Sequence, residues 1–176
     1  MKLTKKIIAV FLLSLLVVSI CQAKVKREKD EFSGWTILSS ESSKSDGFLS
    51  ARETTYSLSQ YIPPKGKANR PYVLSITQTF PVNDGKAFFY PTCELKIGND
   101  FFTLNQSREG SFCNSRAVGT SYDIPIDLVM LLINTRGPVG IQCAYSLDKG
   151  YVPVYNVYMV PDKILKEWKT VLTTEK

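Results

Sequence analysis

Apolar and polar residues alternate most regularly between Pro71 and Phe80. Tyr72, Leu74, Ile76, Gln78 and Phe80 fall on one face, and Val73, Ser75, Thr77 and Thr79 on the other. A period of two carried by β-branched and aromatic residues predicts a half-buried strand. The same pattern places a strand at Phe32–Leu38, with Trp35 and Ile37 on one face. Another covers Lys86–Ile97, with Phe89, Cys93, Leu95 and Ile97 inward. Val139–Leu147 follows, with Ile141, Cys143, Tyr145 and Leu147 inward, and then Tyr151–Val160. Shorter extended segments are expected at Phe48–Leu58, Phe101–Leu104 and Ser111–Val118. The turns between them fall at Asn83-Asp84-Gly85, Gly98-Asn99-Asp100, Gln106–Gly110 and Asp148-Lys149-Gly150. Ser39–Gly47 is polar throughout and reads as a loop, and the prolines between Ile62 and Pro71 exclude a central strand there.

Two segments break this period. Ile124–Ile133 is an apolar run with helix signals at both ends: Asp123 as N-cap, Pro125 in the first turn, then Arg136, Gly137 and Pro138 as stop. Being apolar almost all round, this helix is expected to be largely buried. Pro161-Asp162 opens a second helix, in which Ile164, Leu165, Trp168, Val171 and Leu172 form one stripe suited to docking on a sheet. Trp168 therefore reads as a packing residue. About eight strand candidates joined by tight turns predict a mostly β protein. The expected form is an antiparallel β-sandwich or rolled sheet with one buried short helix and a C-terminal amphipathic helix.

The N-terminus carries a different pattern. Lys2, Lys5 and Lys6 precede the apolar run Ile7–Ile20, and Cys21-Gln22-Ala23 follows it. These are the parts of a secretory signal peptide, with cleavage expected between Ala23 and Lys24. The apolar run is too short for a membrane span, which needs about 20 residues. Acylation of Cys21 as a lipoprotein is the disfavoured alternative, because Ile20 precedes it where a small residue is required. The domain reading is then 1–23 signal peptide, 24–31 mobile charged arm and 32–176 one β-rich domain. The product is expected to be exported, either periplasmic or secreted.

Composition narrows the chemistry. The 176 residues contain no histidine. A Ser-His-Asp triad, a Cys-His pair and a histidine-ligated metal site are therefore excluded. What is left is carboxylate chemistry, a lysine-based nucleophile or an oxygen-ligated calcium site. No residue pattern signals any of these, so neither cofactor nor metal is expected. Without Lys2, Lys5 and Lys6, the 22 Lys and Arg fall to 19 against 16 Asp and Glu, a net charge of +3. That charge is too small and too evenly spread to indicate nucleic acid as a partner.

With Cys21 gone, Cys93, Cys113 and Cys143 remain, enough for one disulfide and one free thiol. Cys93–Cys113 closes the shortest ring and is the favoured pairing, with Cys143 free or an alternative partner. Asp123 and Asp127 stand one helical turn apart, where capping explains both. Tyr56, Tyr61, Tyr72, Phe88, Tyr90, Tyr151, Tyr155 and Tyr158 exceed what one sheet face needs. An aromatic body with a polar tip suits protein contact. Tyr72, Tyr90, Tyr151 and Tyr155 are the candidate interaction surface, facing a protein or cell-envelope partner.

The order of features along the chain resembles the invasion-associated locus B family of exported bacterial proteins. The likeness rests on Phe32-Ser33-Gly34-Trp35-Thr36-Ile37, the hairpin around Gly98, Cys113 with Ala117 after it, and the apolar helix Asp127–Ile133. Gly137, the strands Val139–Leu147 and Tyr151–Val160, and the closing amphipathic element complete it. Leu38 and Ser39 stand where that family usually has a cysteine after its opening tryptophan. The resemblance implies a β-rich periplasmic or surface protein associated with host-cell invasion, without catalytic residues to carry over. The binding reading is thus an exported, non-catalytic protein acting on another macromolecule. The alternative is an exported hydrolase that uses two carboxylates on a glycan.

Overall fold

A computed structural model describes residues 25–45, 53–64, 71–79, 87–114, 117–147 and 153–174. The leader with Cys21, Ala23 and Lys24 lies outside these residues, as do Tyr151 and the turns at 83–85 and 148–150.

The described chain forms one curled antiparallel sheet, a half-barrel, with two helices. In chain order the elements are β1 (Lys26–Lys29), β2 (Thr36–Ser45), β3 (Glu53–Ile62), β4 (Tyr72–Thr79), β5 (Ala87–Ile97), β6 (Asp100–Cys113) and β7 (Ala117–Asp123). They continue with α1 (Ile126–Asn134), β8 (Val139–Leu147), β9 (Val154–Met159) and α2 (Asp162–Thr173). The strand order across the sheet is β1-β2-β3-β4-β7-β6-β5-β8-β9. The rolled, mostly β form expected from the alternation is the form observed.

β6 makes the roll. Its first half pairs with β5 as far as Asn105, and its second half pairs with β7 from Gln106 onward, with an irregular register between Gln106 and Ser111. The polar stretch 106–110, expected as a turn, is therefore a bend inside one long strand. The bend brings β9 over β2 and β3. There Tyr56 and Tyr158 stack with centroids 4.1 Å apart. Ser42 Oγ and Tyr158 OH share a hydrogen bond of 2.7 Å, and Asn156 Nδ2 donates to Thr54 Oγ1 at 2.8 Å.

These contacts explain β2, whose second half reads as a loop in the sequence. Ser40 and Ser42 point inward and are buried. The Ser40 hydroxyl donates to Glu167 of α2, and Ser42 meets Tyr158 of β9. A buried hydroxyl with a partner costs little, so a serine-rich segment can serve as a strand here. Lys26–Lys29 also departs from expectation. Instead of a mobile arm it is an edge strand paired with β2, and its exposed charges suit an edge that must not recruit another chain.

The interior is apolar toward the helices and polar toward the other end. Leu58, Leu74, Ile124, Val129, Leu132, Ile164 and Trp168 fill the first part, while Ser42, Thr54, Gln78, Thr120, Ser146 and Asn156 are buried in the second. Gln78 is 0% exposed, and neither atom of its amide has a hydrogen-bond partner among the described residues. An unsatisfied buried amide costs roughly 1–3 kcal/mol. Gln78→Met, which keeps the length and removes the amide, is expected to stabilise the fold by about 1 kcal/mol in urea unfolding. A lowered midpoint would show instead that the amide is engaged.

The helices follow their expected positions with three differences, all in α1. α2 buries Ile164, Leu165, Trp168, Val171 and Leu172, the stripe expected from spacing, and packs on β2 and β3. α1 buries only Leu128, Val129 and Leu132, and leaves Ile126, Met130 and Leu131 exposed. It is thus a surface helix with one face docked, not a buried one. Its N-cap is Pro125 in extended conformation, without a side-chain cap, because Asp123 is still part of β7. At its other end Lys169 Nζ of α2 donates to the Thr135 carbonyl and supplies the positive charge that the last turn lacks. Gly137 is not the left-handed cap, since the described positive-φ glycines are Gly34 and Gly98.

Candidate functional site

A shaped part of the outer surface comes from a flaw in one strand. Phe89 pairs with Tyr145 and Cys93 with Cys143, so Tyr90, Pro91 and Thr92 of β5 all stand opposite Ala144 alone. Pro91 has no N–H to give to the ladder, which forces the chain to bulge. The interior holds the bulge in place, because Tyr122 OH donates to the Tyr90 carbonyl at 2.9 Å. Burial raises the Tyr122 hydroxyl pKa, which keeps this phenol neutral and donating.

Beside the bulge lies an open depression of about 210 Å3, lined by Tyr90, Thr92, Glu94, Gln142, Pro153 and Tyr155 among others. A second, smaller depression of about 50 Å3 shares Glu94 and Gln142 with it and continues along Lys96, Phe101, Val157 and Met159. Together they run across the outer face of β6, β5, β8 and β9. Tyr155 is 62% exposed, and Phe101, Val157 and Met159 are exposed with it. Lys96 Nζ lies 5.4 Å from the centre of the Phe101 ring, a cation–π distance. Among the described residues Glu94 is the carboxylate lining both depressions, and its Oε1 accepts a hydrogen bond from Thr103 Oγ1 at 2.8 Å.

β9 presents its backbone here as well. Val160 N donates to the Val139 carbonyl, so the even-numbered residues of β9 bond to β8. Tyr155, Val157 and Met159 therefore turn their backbone groups to the free edge, while their side chains line the outer face. Lys44 Nζ donates to the Val157 carbonyl at 2.8 Å, a polar guard on that edge.

Of the tyrosines singled out in the sequence, Tyr90 and Tyr155 are brought together in this groove. Tyr72 sits elsewhere, half-buried on β4, with its hydroxyl accepting from Gln60 Nε2 at the long distance of 3.5 Å and its carbonyl accepting from Ile124 N. Tyr56 and Tyr158 belong to the core. Phe101, Val157 and Met159 were missed by sequence reasoning. The signal available was Pro91, a proline inside an otherwise regular strand.

The cysteines need a correction. The structure holds no bridge among the three described cysteines, and the favoured Cys93–Cys113 pairing does not fit the register. Cys93 is opposite Leu104 on β6, and Cys113 lies nine residues further along that strand. At about 3.3 Å per residue this separates them by roughly 30 Å along the strand, beyond the roughly 7 Å a disulfide spans. Among the described residues no group of three or more cysteines and acids is placed to hold a metal ion. None of the described helices is long and apolar enough to cross a membrane. No family model, curated protein or solved structure matches the chain.

Proposed function

We propose that this is an exported protein that works by binding another protein, without catalysis of its own, through the outer face of β6, β5, β8 and β9. The observation that carries the reading is the joining of Tyr90 and Tyr155 with Phe101, Val157 and Met159 along an edge strand whose backbone points outward. Exposed apolar side chains beside backbone groups turned to a sheet edge suit an extended segment that adds itself to a sheet. Its alternate side chains would settle in the two depressions, and its main chain would displace Lys44 from the Val157 carbonyl. Export is supported by the leader pattern, and the resemblance to the invasion-associated locus B family makes a host-cell or envelope protein the expected partner.

The glycan hydrolase reading finds less support. A pair of carboxylates separated by about 5–10 Å is needed on either side of a sugar bond. Among the described residues lining the groove the carboxylate is Glu94, tied to Thr103.

The test is photocrosslinking. A photoreactive phenylalanine is placed at Tyr155, with a control at Glu28, exposed on β1 at the opposite end of the strand order. Cells or envelope extract should yield a discrete adduct from position 155 that Met159→Asp abolishes, while position 28 yields none. Equal labelling from both positions, or none from 155, would sink the proposal.

A further inference from the structure

Two cysteines left without a role by the binding reading stand face to face. Cys93 of β5 is paired with Cys143 of β8, and they are 2% and 1% exposed. The kind of pair they make follows from two backbone hydrogen bonds. Gly98 N donates to the Pro138 carbonyl, so the even-numbered residues of β5 and β8 bond to each other. Val160 N donates to the Val139 carbonyl, so the odd-numbered residues of β8, Cys143 included, turn their backbone toward β9. Both place Cys93 and Cys143 at a non-hydrogen-bonded position of the antiparallel ladder. This is the close class of cross-strand pair, with Cα atoms about 4.5 Å apart and side chains on the same face. A disulfide accepts Cα separations of about 4.4–6.8 Å.

We propose that Cys93 and Cys143 are the disulfide of this protein, joining β5 to β8 beneath the bulge, and that Cys113 is its single free thiol after export. In the reaction each thiol loses its proton, an Sγ–Sγ bond forms, and two electrons pass to a disulfide donor such as oxidised glutathione, which becomes two thiols. Burial pushes the Cys143 thiol up to about 12 and raises that of Cys93 as well. Thiolate, the reacting form, is therefore scarce at neutral pH once both residues are enclosed. The bond forms while the chain folds, and the finished core shields it from reductant. Cys113, exposed at the end of β6, has no cysteine opposite it: its partner is Val118.

The sequence allows a direct test, because cleavage after lysine and arginine puts the three cysteines in separate peptides, 87–96, 109–116 and 137–149. The full chain is refolded in a mixture of reduced and oxidised glutathione, alkylated in denaturant, digested without reductant and mapped by mass spectrometry. The expected product is peptide 87–96 linked to 137–149, lost on reduction, with 109–116 carrying the alkyl group. Cys113→Ser should leave the link unchanged. A link from 87–96 or 137–149 to Cys113 or Cys21, or alkylation of Cys93 and Cys143 in the refolded protein, would overturn the assignment.

Discussion

Trp168→Ala is expected to lower the free energy of unfolding by about 3–5 kcal/mol. Trp168 is 1% exposed and is among the largest fully buried side chains. It stands in the middle of the α2 stripe, with Ile164 and Leu165 on one side and Val171 and Leu172 on the other. α2 packs against β2, β3 and α1, so its docking closes the helical end of the half-barrel. Removing the indole leaves a cavity that rigid strands cannot collapse into, and the loss is a large share of the 5–15 kcal/mol that holds a typical domain. Trp168→Phe separates packing from hydrogen bonding. The indole Nε1 has no hydrogen-bond partner among the described residues, so removing it forfeits no bond to them. The phenylalanine variant should therefore lose less than half as much as the alanine variant. Urea unfolding followed by circular dichroism reads both changes without relying on tryptophan fluorescence, which Trp35 would confuse. A loss below about 1 kcal/mol for Trp168→Ala would mean that α2 is not what seals that end.

What the sequence reveals is whatever is local. β8 is legible to the residue, because alternation and its flanking proline and turn residues agree. So is the α2 stripe. β2 is not, because the partners that make its serines tolerable lie more than a hundred residues away in Glu167 and Tyr158. The unity of β6 is hidden for a related reason: a strand that bends to serve two neighbours carries polar residues at the bend, and polar runs read as turns. For α1, an apolar run predicts burial on average, but only the fold decides how many sides of a helix have something to lie against. The groove shows the same limit. Tyr90 and Tyr155 stand out as surplus aromatics, while Val157 and Met159 look like core until topology places β9 at the edge. Pairing of the cysteines failed on sequence distance, because the short ring from Cys93 to Cys113 ignores that strands adjacent in space need not be adjacent in the chain.

The cross-strand bond carries the second large consequence: stability should depend on redox state. Cys93 and Cys143 enclose about 50 residues, and closing a ring of that length stabilises the fold by about 4 kcal/mol on the chain-entropy model. For a protein of this size each kcal/mol moves the melting temperature by about 2–4 °C, so full reduction should lower it by roughly 8–16 °C. Cys143→Ser should melt near the reduced protein and be indifferent to reductant, whereas Cys113→Ser should behave as the parent does. Burial adds a kinetic signature. A reductant must wait for the strands to part, so in the cold the bond should persist in folded protein and break readily once urea is added. Exposed Cys113 should meanwhile react at once with a thiol reagent under native conditions. Scanning calorimetry with and without reductant checks the first point, and timed alkylation checks the second. Identical melting of oxidised and reduced protein would show that the bond contributes nothing to stability. Fast reduction in native buffer would show that β5 and β8 part easily, which would place the weak seam of the half-barrel beneath the binding face itself.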